Sequence, residues 1–237
     1  MGNSLSDIIG MSKKSRLLRG FDRMASQARQ ILVLRYGDEQ ASVLIKEVRD
    51  EYEALIREMP AIRNVKLFNQ FLTATAQFLA IYRVLNSRGR TIDEVGELIW
   101  DISKHILDSY PAFLTRMFGY MSFSPSYLKK LQKRAAQSQQ RLYAGDYVFY
   151  YVAGDGKAYD YGVDYTECCT CKFLQKQGAI ELAPYICAID ILYSEKLGWG
   201  LKRTMTLAEG NPKCDFRFKK GGKTQVQVPE YLKHIVS

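Results

Sequence analysis

The stretch Tyr147–Tyr165, YVFYYVAGDGKAYDYGVDY, decides how the chain is read. Two runs rich in aromatic and β-branched residues flank Gly154-Asp155-Gly156, a pattern that predicts a β-hairpin. Upstream of Leu142 the pattern is helical. In DEQASVLIKEVRDEYEALIREMP, Leu44, Val48, Tyr52 and Leu55 recur at helical spacing, and Pro60 ends the run. NVKLFNQFLTATAQFLAIYRVLNSRG follows, with Leu67, Phe71, Phe78 and Tyr82 among its apolar positions. It is apolar around most of its circumference, so it predicts the most buried helix, with Gly89 as its stop. Thr91 and Glu94 then fit a capping box ahead of Val95, Leu98, Ile102 and Ile106.

Downstream of the hairpin, two helices are predicted. Thr166 caps the first and Gly178 ends it; Pro184 opens the second and Gly198 ends it. LKRTMTL and CDFRFKK then flank the turn signal EGNPK as a second hairpin. The expectation is one α+β domain over 1–237, with a helical half 1–141 and a ββααββ half 142–237. The N-terminal helices would pack on a small antiparallel sheet.

The 237 residues are 47% hydrophobic, enough to fill a core without disulfides. Five cysteines, an odd number bunched late in the chain, do not form a secreted disulfide framework. No apolar run approaches the roughly 18 residues of a membrane span, and the N-terminus lacks a signal-peptide block. These features predict a soluble, cytoplasmic protein. MGNSLS fits the short myristoylation pattern at Gly2 and Ser6. The net charge of +9 draws on basic segments at 13–35 and 129–141. They suit an anionic surface or an anionic small substrate. No nucleic-acid motif accompanies them, so solvated helix faces and no nucleic-acid partner are expected.

Chemistry concentrates in DYTECCTCKFLQKQG, 164–178. Cys168 and Cys169 fall in the first turn of a predicted helix, where free N–H groups and the helix dipole lower a thiol pKa. Cys168 and Cys171 form C-x-x-C, which suits disulfide exchange or metal binding. His105 and His234 lack metal-ligand spacing, so a four-ligand site would need Cys187 and Cys214 as well. Asp190 sits in the apolar run PYICAIDILY, three residues after Cys187 and so on the same helix face. It is either a perturbed functional carboxylate or one partner of a structural pair. Strand alternation puts Cys214, Phe216 and Phe218 on a core face and Asp215 and Arg217 on the other. Arg203, among apolar neighbours, is a candidate anion clamp or a side chain that snorkels at the sheet edge.

These residues together resemble the L-2-amino-thiazoline-4-carboxylic acid hydrolase family. The resemblance is carried by T-E-C at 166–168, A-P-Y-x-C-x-x-D at 183–190, R-T-x-T-x-A-E-G at 203–210 and C-D-F-R-F at 214–218. The helical half is similar more loosely, through FNQFLTATAQFLAIYRVL and the start G-x-T-x-D-E. Cys169, Cys171 and Met205 depart from the pattern. The resemblance implies a bacterial cytoplasmic hydrolase of sulfur-amino-acid metabolism. It would open a cyclic isothiourea carboxylate to N-carbamoyl-cysteine by breaking the ring C–S bond. The topology is also similar to vinyl-reductase-type and TRAPP-type ligand-binding folds.

That chemistry needs a base or a thiolate, a cation for the carboxylate, and an anion for the amidinium. The candidates are Cys168 as nucleophile and Asp190 or Glu167 as base or amidinium partner. Arg203 or Arg217 would be the clamp, with Thr204, Cys187 and Cys214 lining the site. The alternative is a non-catalytic ligand-binding, thiol-redox or metal-sensing domain of the same fold. No cofactor is expected; a zinc ion on Cys168, Cys187 and Cys214 belongs to the alternative. The expected partner is a small molecule, and a homo-oligomer is compatible.

Overall fold

The computed structural model describes residues 5–63 and 65–236, with side chains from Lys13 onward. The Gly2 myristoylation pattern lies outside the described residues. Four helices come first: α1 (Leu5–Tyr36), α2 (Asp38–Glu58), α3 (Lys66–Ser87) and α4 (Ile92–Asp108). They pack in a ring, α1 on α2 and α4, and α3 on α2 and α4. In α2, Leu44, Val48, Tyr52 and Leu55 are buried, as their spacing predicts. The α3 helix buries Phe68, Leu72, Ala76, Leu79 and Ala80. Leu67 is exposed instead, and Phe71, Phe78 and Tyr82 are half-buried, so the buried stripe runs one position away from the expected residues. Thr91 and Glu94 close the capping box of α4 from both sides.

The next two helices are α5 (Ala112–Met121) and α6 (Pro125–Ser138). Ser124 caps α6, and Leu131, Ala135 and Ser138 seat it on the sheet. The Ser138 hydroxyl accepts from Phe149 N at 3.1 Å, joining α6 to the first strand.

Strands β1 (Val148–Ala153) and β2 (Tyr161–Glu167) form the predicted hairpin. Asp155 Oδ1 accepts from the amides of Lys157, Ala158 and Tyr159 and so fixes its turn. Then come α7 (Cys169–Lys176), α8 (Ala183–Ala188), α9 (Asp190–Leu197), β3 (Lys202–Arg203), β4 (Cys214–Phe218) and β5 (Gln225–Val226). Gly178 (φ +68°) follows α7 and Gly198 (φ +67°) ends α9, conformations in which a side chain is strained. The fold is α+β, with one sheet in the order β1-β2-β4-β3-β5. No described helix is long and apolar enough to cross a membrane.

Four expectations need correction. The sheet is mixed, because β5 runs parallel to β3. The expected strand LKRTMTL shrinks to Lys202–Arg203. Asp215 Oδ1 accepts from the amides of Thr204 and Met205, at 2.8 and 2.9 Å, and so occupies donors a longer ladder would use. The helix expected across PYICAIDILY breaks at Ile189 into α8 and α9. Thr166 caps nothing: it lies in β2, and Cys168 takes the N-cap of α7.

Candidate active site

The end of β2 leads directly into α7, so the chain delivers Tyr165 and Cys168 to one place. Tyr165 pairs in register with Cys214 on β4. Its ring packs against Phe216 and Phe149, with centroids 5.5 and 5.2 Å away. Cys168 has extended backbone (φ −122°, ψ 121°), and its side chain closes no cap hydrogen bond in the strict sense. Its pKa is nevertheless lowered. The Cys171 thiol contributes most; the amides of Cys171 and Thr170 and the Thr170 hydroxyl add to it, against the opposing effect of burial. Cys171 moves the other way, pushed up by the adjoining Cys168 and by burial. The C-x-x-C pair is thus one easily ionised thiol and one resistant one.

Cys187 and Cys214 close the same neighbourhood. Burial pushes both up, Cys214 to about 12, and Cys168 and Asp190 raise each further while Arg203 opposes. Leu207 N donates to Cys214 Sγ at 3.2 Å. The Tyr165 hydroxyl is pushed up by burial first, then in part by Cys168, Asp190 and Cys214. Tyr165 therefore stands among the chemistry-bearing groups. Its position on the Tyr161-Val163-Tyr165 face reads in sequence only as core.

Arg203 does not snorkel: it is 2% exposed. Its Nη1 donates to Asp190 Oδ2 at 2.5 Å and to the Cys187 carbonyl at 3.0 Å. Its guanidinium lies 5.5 Å from the Phe216 ring centroid. Its Nε–H is buried without a partner. Asp190 is 32% exposed. Burial raises its pKa more than Arg203 lowers it. The break at Ile189 places Asp190 at the start of α9, and Arg203 ties it back to the end of α8.

The other candidates lie elsewhere. Glu167 is held by Lys172 at 2.5 Å and Arg141 at 2.7 Å. Arg217 pairs with Asp164 at 2.7 Å, together with Lys213, on the sheet face away from Cys214. Thr204 is exposed and donates its hydroxyl to Asp215. Cys169 is a packing residue, fully buried, with its thiol pushed up to about 12 by burial. Among the described residues no group of three or more His, Cys, Asp or Glu side chains is arranged to hold a metal ion.

Cys168, Cys171, Cys187 and Cys214 thus lie close enough to shift one another's ionisation; Tyr165 interacts with Cys168 and Cys214, and the enclosed Arg203 with the half-buried Asp190 acts on Cys187 and Cys214. That arrangement is a cluster of thiols at one end of the sheet in an α+β fold. Residues 116–218, from α5 through β4, match the family model of L-2-amino-thiazoline-4-carboxylic acid hydrolase. No curated protein and no solved structure matches the chain.

Proposed function

We propose that the protein hydrolyses a five-membered cyclic isothiourea carboxylate of the L-2-amino-thiazoline-4-carboxylate type to N-carbamoyl-cysteine. The observation that carries this reading is Cys168, a lowered-pKa thiol at a helix N-cap, linked through Cys187 and Cys214 to the Asp190–Arg203 pair. The Cys168 thiolate attacks the carbon between sulfur and nitrogen. The ring C–S bond breaks, and the departing sulfur takes a proton. Water then adds to the same carbon, and Cys168 leaves as thiolate, so one water is consumed overall. Asp190, with its raised pKa, handles the proton or faces the amidinium. Arg203, whose buried Nε–H has no partner, is the cation for the substrate carboxylate. Arg217 lies on the sheet face away from Cys214, which favours Arg203 as the clamp.

The test is product identity. Incubation with L-2-amino-thiazoline-4-carboxylate should give N-carbamoyl-cysteine by mass spectrometry; the S-carbamoyl isomer would mean that C–N rather than C–S is broken.

The Cys168–Cys171 pairing favours a second reading, a thiol sensor without turnover. A peroxide would oxidise Cys168 to the sulfenic acid. Attack by the Cys171 thiol would then expel water and close a disulfide. That reading predicts loss of two hydrogens from the protein and no conversion of the thiazoline.

A further inference from the structure

We infer that α5 and α6 form a surface that docks on an anionic lipid bilayer. Five large apolar side chains in one short segment stand open to solvent: Tyr110, Phe113, Met117, Phe118 and Met121, with Phe113 72% and Phe118 61% exposed. Phe113, Met117 and Met121 follow one another at four-residue spacing and so form a single stripe along α5. The opposite side of α5 is committed to the fold, since Gly119 packs against the Leu197 carbonyl of α9. An exposed apolar patch of this kind marks an interaction site.

Charge identifies the partner. A three-residue turn after α5 leads to α6, whose inner side is Leu131, Ala135 and Ser138. Lys129, Lys130 and Lys133 are exposed and make no ion pair among the described residues, and α6 contains no acid. Arg116 on α5 is likewise exposed and unpaired among the described residues. In the other basic segment Lys14, Arg29 and Arg35 are ion-paired within the bundle; Lys13, Arg16, Arg19 and Arg23 are exposed there too, but among the described residues only Leu34 of α1 adds a large exposed apolar side chain. A second copy docking through this face would bring like charges together, because a two-fold interface apposes the same surface. Aromatic and methionine side chains on α5, with unpaired Arg116 on the same helix and unpaired lysines on the next, match the requirements of an interfacial segment on anionic lipid. The apolar stripe enters the headgroup boundary and the lysines meet the headgroups. This inference is independent of the proposed reaction.

Flotation of the full chain with vesicles tests it. The vesicles would be phosphatidylcholine alone, or phosphatidylcholine mixed with phosphatidylglycerol, at low and high ionic strength. The expected result is binding to the mixed vesicles only, weakened by salt. Phe113→Ser with Phe118→Ser should reduce binding on the order of tenfold or more, and Lys129→Glu with Lys133→Glu should do the same. Both pairs are exposed, so circular dichroism and melting should match the parent chain. Failure of the parent chain to bind the mixed vesicles would overturn the inference. So would equal binding to both vesicle types, or binding unaffected by either double variant. A dimer in solution that the Phe113→Ser and Phe118→Ser changes dissociate would assign the face to a second copy instead.

Discussion

Arg203 on β3 and Asp190 at the start of α9 form an ion pair at 2.5 Å, in which the arginine is almost wholly enclosed. The same guanidinium reaches the Cys187 carbonyl, so one side chain joins the sheet, the end of α8 and the start of α9. Removing one partner of a buried pair leaves the other charge uncompensated. Arg203→Met should cost about 2–3 kcal/mol of stability, less than a fully enclosed pair because Asp190 is partly open to water. Asp190→Asn should cost less, since the amide still accepts a hydrogen bond. Chemical denaturation of both variants checks the order; equal stability of Arg203→Met and the parent would show that the pair contributes nothing.

Cys168 should be the first thiol to react. The helix amides and Cys171 lower its pKa, while Cys171, Cys187, Cys214 and Cys169 are all raised. Alkylation by iodoacetamide at rising pH, read by peptide mass spectrometry, should label Cys168 at lower pH than any other cysteine. Turnover should rise with pH through a value below the ordinary thiol range. Cys171→Ser should shift that value upward, because the strongest influence lowering the Cys168 pKa is then altered.

Glu167 gives a pH prediction for stability. Lys172 and then Arg141 hold its carboxyl below the usual glutamate range, against the effect of burial. A carboxyl depressed in the folded state contributes stability above its unfolded pKa and loses it as pH falls through the folded value. Acid melting curves of Glu167→Gln should therefore converge with those of the parent at low pH and lie below them at neutral pH. A constant gap at all pH values would contradict this linkage.

Gly119 marks the seam between α5 and α9. A Cβ there would lie 2.0 Å from the Leu197 carbonyl oxygen, a backbone atom that cannot step aside. Gly119→Ala should lower stability by about 1–3 kcal/mol in thermal unfolding, through enforced separation of the two helices.

The hairpin, the capping box of Thr91 and Glu94, and the helix ends at Gly178 and Gly198 were legible in sequence. Each is set by local residues: alternating aromatics, a side chain three residues from its amide, a glycine with positive φ. The meeting of Cys168, Cys187 and Cys214 was not legible, because it depends on how β4 pairs with β2 and on where α8 ends. The Asp190–Arg203 partnership was open for the same reason: both residues stood out as charges in apolar runs, but only the packing joins them. Glu167 and Arg217 show the converse. Their partners Lys172 and Asp164 were visible as charges, yet nothing in the spacing fixed the pairs. The short β3 was lost because Asp215, a side chain eleven residues from Thr204, takes the backbone donors.

Cys168 is the proposed nucleophile in hydrolysis of the thiazoline ring. The most direct measurement is formation of N-carbamoyl-cysteine from L-2-amino-thiazoline-4-carboxylate by the purified parent chain and by folded Cys168→Ala. Turnover by the parent chain and its loss in Cys168→Ala is the predicted result. Undiminished turnover in Cys168→Ala would contradict the nucleophile, and no turnover by the folded parent chain would contradict the proposed reaction.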